Sequence, residues 1–326
     1  MHFLLELRDI SKKYNQQSVL QEVRFHVNAR EIFGLLGESG SGKSTLLRIA
    51  AGLIDPDGGE IWLENQKLRL ASDQLIPGHS DIKIVHQDYN LSLPLSVREN
   101  IAYALRYYEK TYRDERVNEL IELCHLEGVA SHAAKSLSGG EKQRTAIARA
   151  LAEEAKVLLL DEPFAHLDLA NRRRLSETIR DLTEQTGTAC IFVTHDATDA
   201  LSLSHRMGVL QNGQLLQTGT PEEVYQRPVN AYVAELTGEV NLLESSFFEE
   251  HFGSRSVSTS SQLMVRPELF LIQDTPQAVK AEVVRSVFEG GRYRVYLSFL
   301  GQRFMVYHAT GFAKGDTVFV TYSQTF

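Results

Sequence analysis

The sequence has few of the residues that build disulfide frameworks, metal clusters and membrane spans. Its 326 residues include only two cysteines, Cys124 and Cys190, and their wide separation fits neither a metal site nor a disulfide framework. No apolar run approaches the roughly 18 residues that a membrane-spanning helix needs. The composition therefore favours a chain that works in a reducing compartment and does not cross a bilayer.

Basic residues are fewer than acidic residues. The chain has 34 Lys and Arg against 42 Asp and Glu, a formal net charge of −8 and an isoelectric point near 5.8. Broad nucleic-acid binding needs a dense basic face. The one basic cluster, Arg172 to Arg174, lies on a predicted helix and is typical of a solvated face. We expect no nucleic-acid partner.

A phosphate-binding loop is the first feature that the sequence does contain. The segment GESGSGKST matches G-x-x-x-x-G-K-[ST], follows the strand-like run Ile32 to Leu36 and opens an amphipathic stretch, Thr45 to Ala51. Glycines let backbone N–H groups converge on phosphate at a helix N-terminus. The predicted nucleotide-binding residues are Gly37, Glu38, Ser39, Gly40, Ser41, Gly42, Lys43, Ser44 and Thr45.

Within this loop, Lys43 and Ser44 have separate predicted roles. The Lys43 ammonium is a point charge for the β- and γ-phosphates, and the Ser44 hydroxyl is a predicted ligand of Mg²⁺. A lysine and a hydroxyl in this register distinguish the motif from an ordinary glycine-rich turn before a helix.

An acidic pair follows a second buried strand. The apolar run Val157 to Leu160 predicts a strand covered on both faces of a parallel sheet, and Asp161 and Glu162 follow it. Ligands of such sheets bind at the carboxyl ends of the strands. We interpret Asp161 as a Mg²⁺ ligand and Glu162 as the general base for the attacking water. Taken alone, the pair is equally typical of solvated acids at a strand end.

The octapeptide LSGGEKQR, Leu137 to Arg144, precedes a helical run. Ser138, Gly139 and Gly140 fall where that helix begins, which predicts a second anion-binding helix N-terminus. Ser138 followed three residues later by Glu141 also predicts a capping box. The two interpretations are compatible, because a cap does not use every N–H group.

Together, the three motifs resemble an ATP-binding cassette (ABC) ATPase. The resemblance implies an α/β P-loop NTPase fold with a RecA-like core, a helical subdomain and a small β-layer. It also implies a head-to-tail homodimer that sandwiches two ATP molecules. In that dimer Ser138, Gly139 and Gly140 close on the γ-phosphate held by the P-loop of the other subunit.

Smaller matches occur in the order that the family predicts. By resemblance, Tyr14 stacks on adenine, Gln87 senses Mg²⁺, His195 contacts the γ-phosphate and orients Glu162, and Asp168 belongs to a loop that crosses the dimer interface. Edge-strand packing for Tyr14, a loop amide for Gln87 and a structural role for His195 remain alternatives. The implied catalytic residues are Glu162, His195, Gln87 and Lys43, and the implied Mg²⁺ ligands are Ser44, Gln87 and Asp161.

The spacing of apolar residues changes twice along the chain. We predict a nucleotide-binding domain over residues 1–238, with a helical subdomain at about 91–136, where apolar residues recur at helical spacing from Val97 to Tyr108 and from Val117 to Leu126. After a serine-rich stretch, 254–261, short alternating runs predict a small β-barrel within a second domain, 239–326. These runs are Ala278 to Phe288, Tyr293 to Phe299, Arg303 to Tyr307 and Thr317 to Tyr322.

The segment VRPE, Val265 to Glu268, resembles the start of the regulatory region of importer ATPases, and the residues after it resemble their oligomer-binding-fold (TOBE) module. The implied function is ATP hydrolysis that drives an ABC importer, of the kind that serves ferric iron, sulfate, molybdate, polyamines or sugars.

The implied cofactors are ATP and Mg²⁺. The implied partners are a second copy, transmembrane permease subunits and, indirectly, a solute-binding protein, with the chain peripheral on the cytoplasmic face of the cell membrane.

Two other function classes remain open. A soluble ABC ATPase of repair or translation uses the same motifs but carries a long coiled coil or two cassettes, whereas this chain has one P-loop and no sustained heptad pattern. A solute-sensing regulatory ATPase needs a ligand site in residues 240–326, where no Cys/His cluster occurs.

Overall fold

The computed structural model describes residues 3–253, 261–275 and 278–323. It divides into two units, Met1–Val224 and Tyr225–Phe326. The domain boundary placed at 238 from the sequence stays a prediction, and the serine-rich stretch lies, apart from Ser261, outside the described residues. Within those residues, no helix has both the length and the apolarity needed to cross a bilayer.

The first unit alternates strands and helices. Its strands are β1 Leu5–Tyr14, β2 Gln17–Val27, β3 Ile32–Leu36, β4 Gly58–Leu63, β5 Gln66–Lys67, β6 Ile82–Val85, β7 Val157–Asp161, β8 Ala189–Thr194, β9 Arg206–Gln211 and β10 Gln214–Gly219. Its helices are α1 Lys43–Ala50, α2 Val97–Ala104, α3 Lys110–Leu123, α4 Gly139–Leu151, α5 Leu169–Thr186 and α6 Ala197–Leu203, and α7 Pro221–Gln226 spans the division between the units.

A six-stranded sheet in the order β10-β9-β3-β8-β7-β6 forms the centre of this unit. Its strands run parallel except β10, and β3 and β8 are buried along their whole length, as expected for strands covered on both faces. The carboxyl ends of β3, β6, β7 and β8 therefore lie along one edge. Gly37, Gln87, Asp161 and His195 all lie at or just beyond those ends.

A second, antiparallel sheet has the order β2-β1-β4-β5. Leu5 and Leu7 of β1 point into its core, and the ring of Phe25 stacks on Phe33 of the central sheet with centroids 4.7 Å apart. The predicted small β-layer is present. Its strands extend further toward the hairpin turn than their hydrophobic pattern indicates, because backbone pairing continues through polar residues there.

Helices α2, α3 and α4 bury a shared apolar cluster that includes Ile101, Leu120 and Ile147. The α3 helix begins at Lys110, well before the apolar periodicity that starts at Val117. Its first turns are the charged sequence KTYRDER, so they are largely solvated and carry little hydrophobic signal.

The second unit is mainly antiparallel β-structure. Its elements after α7 are α8 Ala231–Thr237, β11 Asn241–Glu244, α9 Ser245–Phe252, β12 Gln262–Val265, β13 Phe270–Ile272, β14 Val279–Phe288, β15 Tyr293–Phe299, β16 Gln302–His308 and β17 Thr317–Tyr322. Five strands form a sheet in the order β13-β17-β14-β15-β16. Phe270 and Phe304 lie on its two edge strands, yet their ring centroids are only 5.1 Å apart. The sheet therefore curls into a half-barrel, consistent with the predicted oligomer-binding-like fold.

Arg266 organises the start of this unit. Its side chain is only 3% exposed, and its guanidinium lies 3.9 Å from the ring centroid of Tyr225. Burial lowers the pKa of Arg266, and a buried cation of this kind requires hydrogen-bond acceptors. Those acceptors are the carbonyl oxygens of Tyr225, Ala234, Gly238 and Glu239 and the hydroxyl of Thr237.

Candidate active site

The predicted phosphate-binding loop connects β3 to α1. Gly42 has a φ of 107°, and a Cβ there would lie 2.8 Å from the carbonyl oxygen of Val19. Gly40 has a φ of 83° and open space on the side where a Cβ would project. Both positions thus need the freedom of glycine. The rest of the predicted set lies in this loop and the first turn of α1: Gly37, Glu38, Ser39, Ser41, Lys43, Ser44 and Thr45.

The Lys43 ammonium lies at the centre of the loop and is 5% exposed. Its Nζ donates to the carbonyl oxygens of Gly37 at 2.7 Å and Glu38 at 2.9 Å, and it lies 3.8 Å from Oε1 of Glu162. Burial lowers the pKa of Lys43, and the neighbouring Glu162 carboxylate opposes that shift. The loop therefore encloses one buried positive charge.

Ser44 and Asp161 come together although 117 positions separate them in the sequence. The Ser44 hydroxyl donates to Oδ1 of Asp161 at 2.9 Å. A hydroxyl and a carboxylate are both oxygen ligands of the kind that Mg²⁺ prefers. The donor set at the end of β7 thus fits the predicted metal.

Glu162 lies directly after β7 with a φ of 50°, an uncommon conformation for a residue with a Cβ. Its backbone N–H donates to the carbonyl of Val193 at the end of β8. Its Oε2 lies 2.8 Å from Nδ1 of His195, and its Oε1 faces the ammonium of Lys43. The carboxylate is therefore held between a buried ammonium and an imidazole.

Gln87 is exposed and follows β6 by two residues. It lies on the wall of a cavity of about 370 Å³ that also contains Glu162 and His195. The structure thus brings together residues from the ends of four central strands and from the loops beyond them. The residues that line the cavity are Ser39, Gln87, Glu162, Ala165, His166, Arg172, Thr194, His195, Asp196 and Asp199.

The α4 helix begins with the predicted capping box. The Ser138 hydroxyl accepts from the backbone N–H of Glu141 at 3.3 Å, and the Glu141 carboxylate accepts from the backbone N–H of Ser138 at 2.8 Å. Gly139 and Gly140 form the first turn of the helix. The backbone N–H groups of these two glycines lie before the first intrahelical hydrogen bond, as at any helix N-terminus.

Asp168 caps α5, and the start of that helix packs against the start of α4. The Asp168 carboxylate accepts from the backbone N–H of Asn171 at 2.8 Å and from its side-chain amide at 3.0 Å. A Cβ on Gly140 would lie 2.7 Å from Oδ1 of Asn171. The loop with Asp168 and the octapeptide are therefore neighbours within one chain.

Tyr14 is the last residue of β1 and is half exposed. Its ring lies 5.5 Å from Nζ of Lys12, and the hairpin turn at Asn15 and Gln16 follows it. An exposed ring at the end of a strand fits either a stacking surface or an edge-strand position.

Sequence reasoning missed Arg172. The sequence predicts a solvated face for the run Arg172 to Arg174, and Arg173 and Arg174 are exposed. The side chain of Arg172 is 30% exposed, and its guanidinium donates to the carboxylates of Asp196 and Asp199. The available signal is its position one helical turn after Asp168, together with two acids within four residues after His195, Asp196 and Asp199.

The fold and this site define a P-loop ATPase, with a phosphate-binding loop, an acidic pair and a histidine along the carboxyl edge of a parallel sheet. The family model described as "ABC transporter" matches residues 20–165. The "Spermidine/putrescine import ATP-binding protein PotA" of Clostridioides difficile is 34% identical over 96% of this chain and 93% of its own length. The protein of the same name from Clostridium novyi is 34% identical over 97% and 94%.

Solved structures agree with this assignment. CbiO1 from Clostridium perfringens, described as part of the ABC transporter complex CbiONQ, has a TM-score of 0.65 and 25% identity over 70% of this chain and 92% of its own. The ATP-binding cassette MJ0796, described as a dimer in a post-hydrolysis state with ADP and phosphate, has a TM-score of 0.59 and 30% identity over 67% and 98%.

The chain belongs to the ABC transporter ATP-binding family. It binds ATP, it is an ABC-type ATPase, and it is of the importer kind. The alternatives of a repair or translation ATPase and of a solute-sensing ATPase are not favoured by these relatives.

Proposed function

We propose that Glu162 acts as the general base for hydrolysis of ATP bound at the P-loop. Glu162 accepts a proton from water as the water oxygen bonds to the γ-phosphorus and the bond from that phosphorus to the β–γ bridging oxygen breaks. His195 orients the carboxylate, and Lys43 stabilises charge on the β- and γ-phosphates. The observation that carries this assignment is the position of the Glu162 carboxylate between His195 and Lys43.

Metal binding is part of the same proposal. Ser44, Asp161 and Gln87 would hold Mg²⁺, and the contact between the Ser44 hydroxyl and the Asp161 carboxylate supports the first two. The chemistry that the ion supplies is neutralisation of charge on the phosphates. Gln87 is assigned from its place on the cavity wall.

We further propose that two copies of the chain sandwich two ATP molecules. Ser138, Gly139 and Gly140 at the start of α4 would face the γ-phosphate bound by the partner, Asp168 would lie at the interface, and Tyr14 would stack on adenine. Support comes from the packing of α4 against α5 and from the solved relative described as dimeric.

The proposed work of this dimer is solute import by a separate permease. Full-length similarity to two proteins named for spermidine and putrescine import makes linear polyamines the proposed solutes. A solute-binding protein would deliver them, and the chain would be peripheral on the cytoplasmic face of the membrane. Residues 1–238 would form the nucleotide-binding domain, with the helical subdomain at 91–136, and residues 239–326 a regulatory domain.

Affinity purification from native membranes in mild detergent tests the assembly. We expect a polytopic permease to be retained and identified by mass spectrometry. The retained complex, in proteoliposomes with ATP and any co-purified solute-binding protein, should then accumulate labelled spermidine. The matched control is the same complex with Glu162→Gln, which should retain the permease and lose uptake. Recovery with ribosomal or DNA-bound partners alone would contradict the transport proposal, and uptake of another solute class would contradict the polyamine assignment.

A further inference from the structure

We propose that Arg172 is a positioning residue that holds His195 against Glu162 by linking the Asp168 loop to the segment after β8. This inference rests on the proposed function of Glu162 and His195. Arg172 touches neither of those two side chains in hydrogen-bond geometry, so it acts through the residues between them.

The guanidinium of Arg172 contacts both segments at once. Its Nη1 donates to Oδ2 of Asp196 at 2.7 Å and to Oδ1 of Asp199 at 3.2 Å. Its Nε donates to the carbonyl oxygen of Leu167, next to Asp168, at 3.3 Å. One planar, permanently charged group therefore joins the loop before α5 to the first turn of α6.

Asp196 is the residue through which this link reaches the histidine. Its Oδ1 accepts from the backbone N–H of Thr198, and its own backbone N–H donates to the hydroxyl of Thr194. With Arg172 on Oδ2, the residue directly after His195 is thus held at its backbone and at both carboxylate oxygens. A fixed backbone at Asp196 limits where the imidazole of His195 can point.

Electrostatics make the guanidinium hard to replace. Asp199 is only 7% exposed, and it lies beside Asp196 on the same helical turn. Burial raises the pKa of Asp199 to about 6, and the Arg172 guanidinium opposes that shift. Loss of this cation removes the donor on Oδ2 of Asp196 and leaves the buried Asp199 side chain without its partner. We expect the α6 start, and His195 with it, to shift.

Through Arg172, the proposed dimer interface is connected by hydrogen bonds to the segment that carries His195, and His195 contacts Glu162. The Asp168 loop is proposed to lie at that interface, and the Arg172 side chain donates to the Leu167 carbonyl in that loop. A change in the loop on dimer closure would reach Asp196 through one side chain. Arg172 would then contribute to coupling between the two ATP sites as well as to the geometry of each.

The first test compares Arg172→Met with Arg173→Met, its exposed neighbour on the same helix. We expect Arg172→Met to lower kcat about 10- to 100-fold, because small displacements of catalytic groups have effects of this size. ATP affinity should be unchanged. Arg172→Lys should recover part of kcat, because lysine restores the positive charge but not the planar set of N–H donors of the guanidinium. Arg173→Met should match wild type. Equal kcat for Arg172→Met and wild type would overturn the proposal.

The second test combines Arg172→Met with His195→Ala. If Arg172 acts through His195, its replacement has no further effect on kcat once the imidazole is gone. The same fold-loss in both backgrounds would show that Arg172 acts independently, and the proposal would be wrong. Normal hydrolysis by His195→Ala alone would instead contradict the proposed function, so the two failures are distinguishable.

A milder variant protects the test against misfolding. Asp196→Asn keeps the size of the side chain and removes the charge that Arg172 contacts. It should reproduce the loss of kcat at unchanged ATP affinity and show the same non-additivity with His195→Ala. Additive effects from this variant would also overturn the inference.

Discussion

Two helices of the nucleotide-binding unit begin at motifs predicted to bind phosphate, and they begin differently. No side chain in the described part of the chain caps the start of α1, whose first turn has no acid and whose N-cap is Gly42 in a left-handed conformation. The start of α4 is capped by Ser138, and Glu141 in its first turn completes a capping box. The first helix presents its N–H groups and a buried lysine, whereas the second places a carboxylate beside its own N–H groups.

The difference separates two tasks. A helix N-terminus with free N–H groups and a lysine attracts a polyanion strongly. A capped N-terminus is stable in water, and its own carboxylate weakens its attraction for phosphate. We infer that ATP binds first at α1 and that the contact at α4 forms only when a second subunit presents the nucleotide.

The largest effect is expected when a carboxylate is exchanged for an amide at each site, Glu162 facing Lys43 at the start of α1 and Glu141 within the first turn of α4. Glu162→Gln should lower kcat about 10²- to 10⁴-fold, the usual contribution of a general base. Glu141→Gln, the matched change in the first turn of α4, should leave kcat within a few-fold of wild type because no chemistry is assigned to Glu141. Steady-state ATP hydrolysis measures kcat for both variants. Full activity in Glu162→Gln would remove Glu162 from the catalytic role.

The next test removes a lysine from the first turn of each helix. Lys43→Ala should weaken ATP binding about 10- to 100-fold, since hydrogen bonds to charged groups contribute about 1.5 to 3 kcal/mol. Lys142→Ala should bind ATP as the wild-type monomer does. Titration calorimetry on the monomer gives both affinities. Equal weakening by the two changes would mean that α1 is not the primary site.

A third comparison concerns the glycines. Gly42→Ala should destabilise the fold by about 1 to 3 kcal/mol, the usual cost of a strained backbone conformation, and its Cβ would also contact the Val19 carbonyl. Gly139→Ala should be close to neutral, because its Cβ would meet Leu167 at an ordinary 3.5 Å. Chemical unfolding measures the free energies. A neutral Gly42→Ala would contradict the need for glycine in the loop.

The smallest effect should come from the charge of Glu141. Its pKa lies below the ordinary 4.5 because the backbone N–H and hydroxyl of Ser138 donate to the carboxylate. Because the pKa is lower in the folded protein, the ionised carboxylate stabilises the fold above about pH 4.5, and this contribution is lost as the pH falls below that value. Glu141→Gln should therefore cost about 0.3 to 1 kcal/mol at pH 7 and progressively less in acid.

The same substitution that destabilises the fold should favour the ATP-bound dimer. In a Glu162→Gln background, Glu141→Gln should lower the ATP concentration for half-maximal dimerisation about two- to five-fold, because a negative charge no longer faces the partner's phosphate. Sedimentation velocity measures the dimer fraction. A higher ATP requirement would mean that the capping carboxylate assists the contact.

Most of the fold was predictable where the pattern is periodic. The strands at Tyr293 to Phe299 and Thr317 to Tyr322 match the structure to the residue, because inward and outward side chains alternate there. The start of α3 at Lys110 was missed because its first turns are charged. The fold class predicted from the motifs is confirmed by the family and the solved relatives.

The site was predictable only where a local motif carries it. Ser44 and Asp161 each belong to a recognisable segment, and the fold brings them to 2.9 Å. Arg172 belongs to no such motif, and its role depends on a carboxylate that lies 24 positions further along the chain. Periodicity alone places it on the outside of a helix.

The buried Arg266 limits how this chain can be recombined with others. Its hydrogen-bond acceptors extend back to Tyr225, so the residues between Tyr225 and Glu239 fold with the C-terminal half-barrel. In a gene fusion that joins a different cassette after Gly238, most hydrogen-bond acceptors of Arg266 would come from the other protein's sequence, because only the Glu239 carbonyl lies after the junction. A junction before Tyr225 keeps the whole set, and exchange of this half-barrel between cassettes should therefore succeed there and fail at the later position.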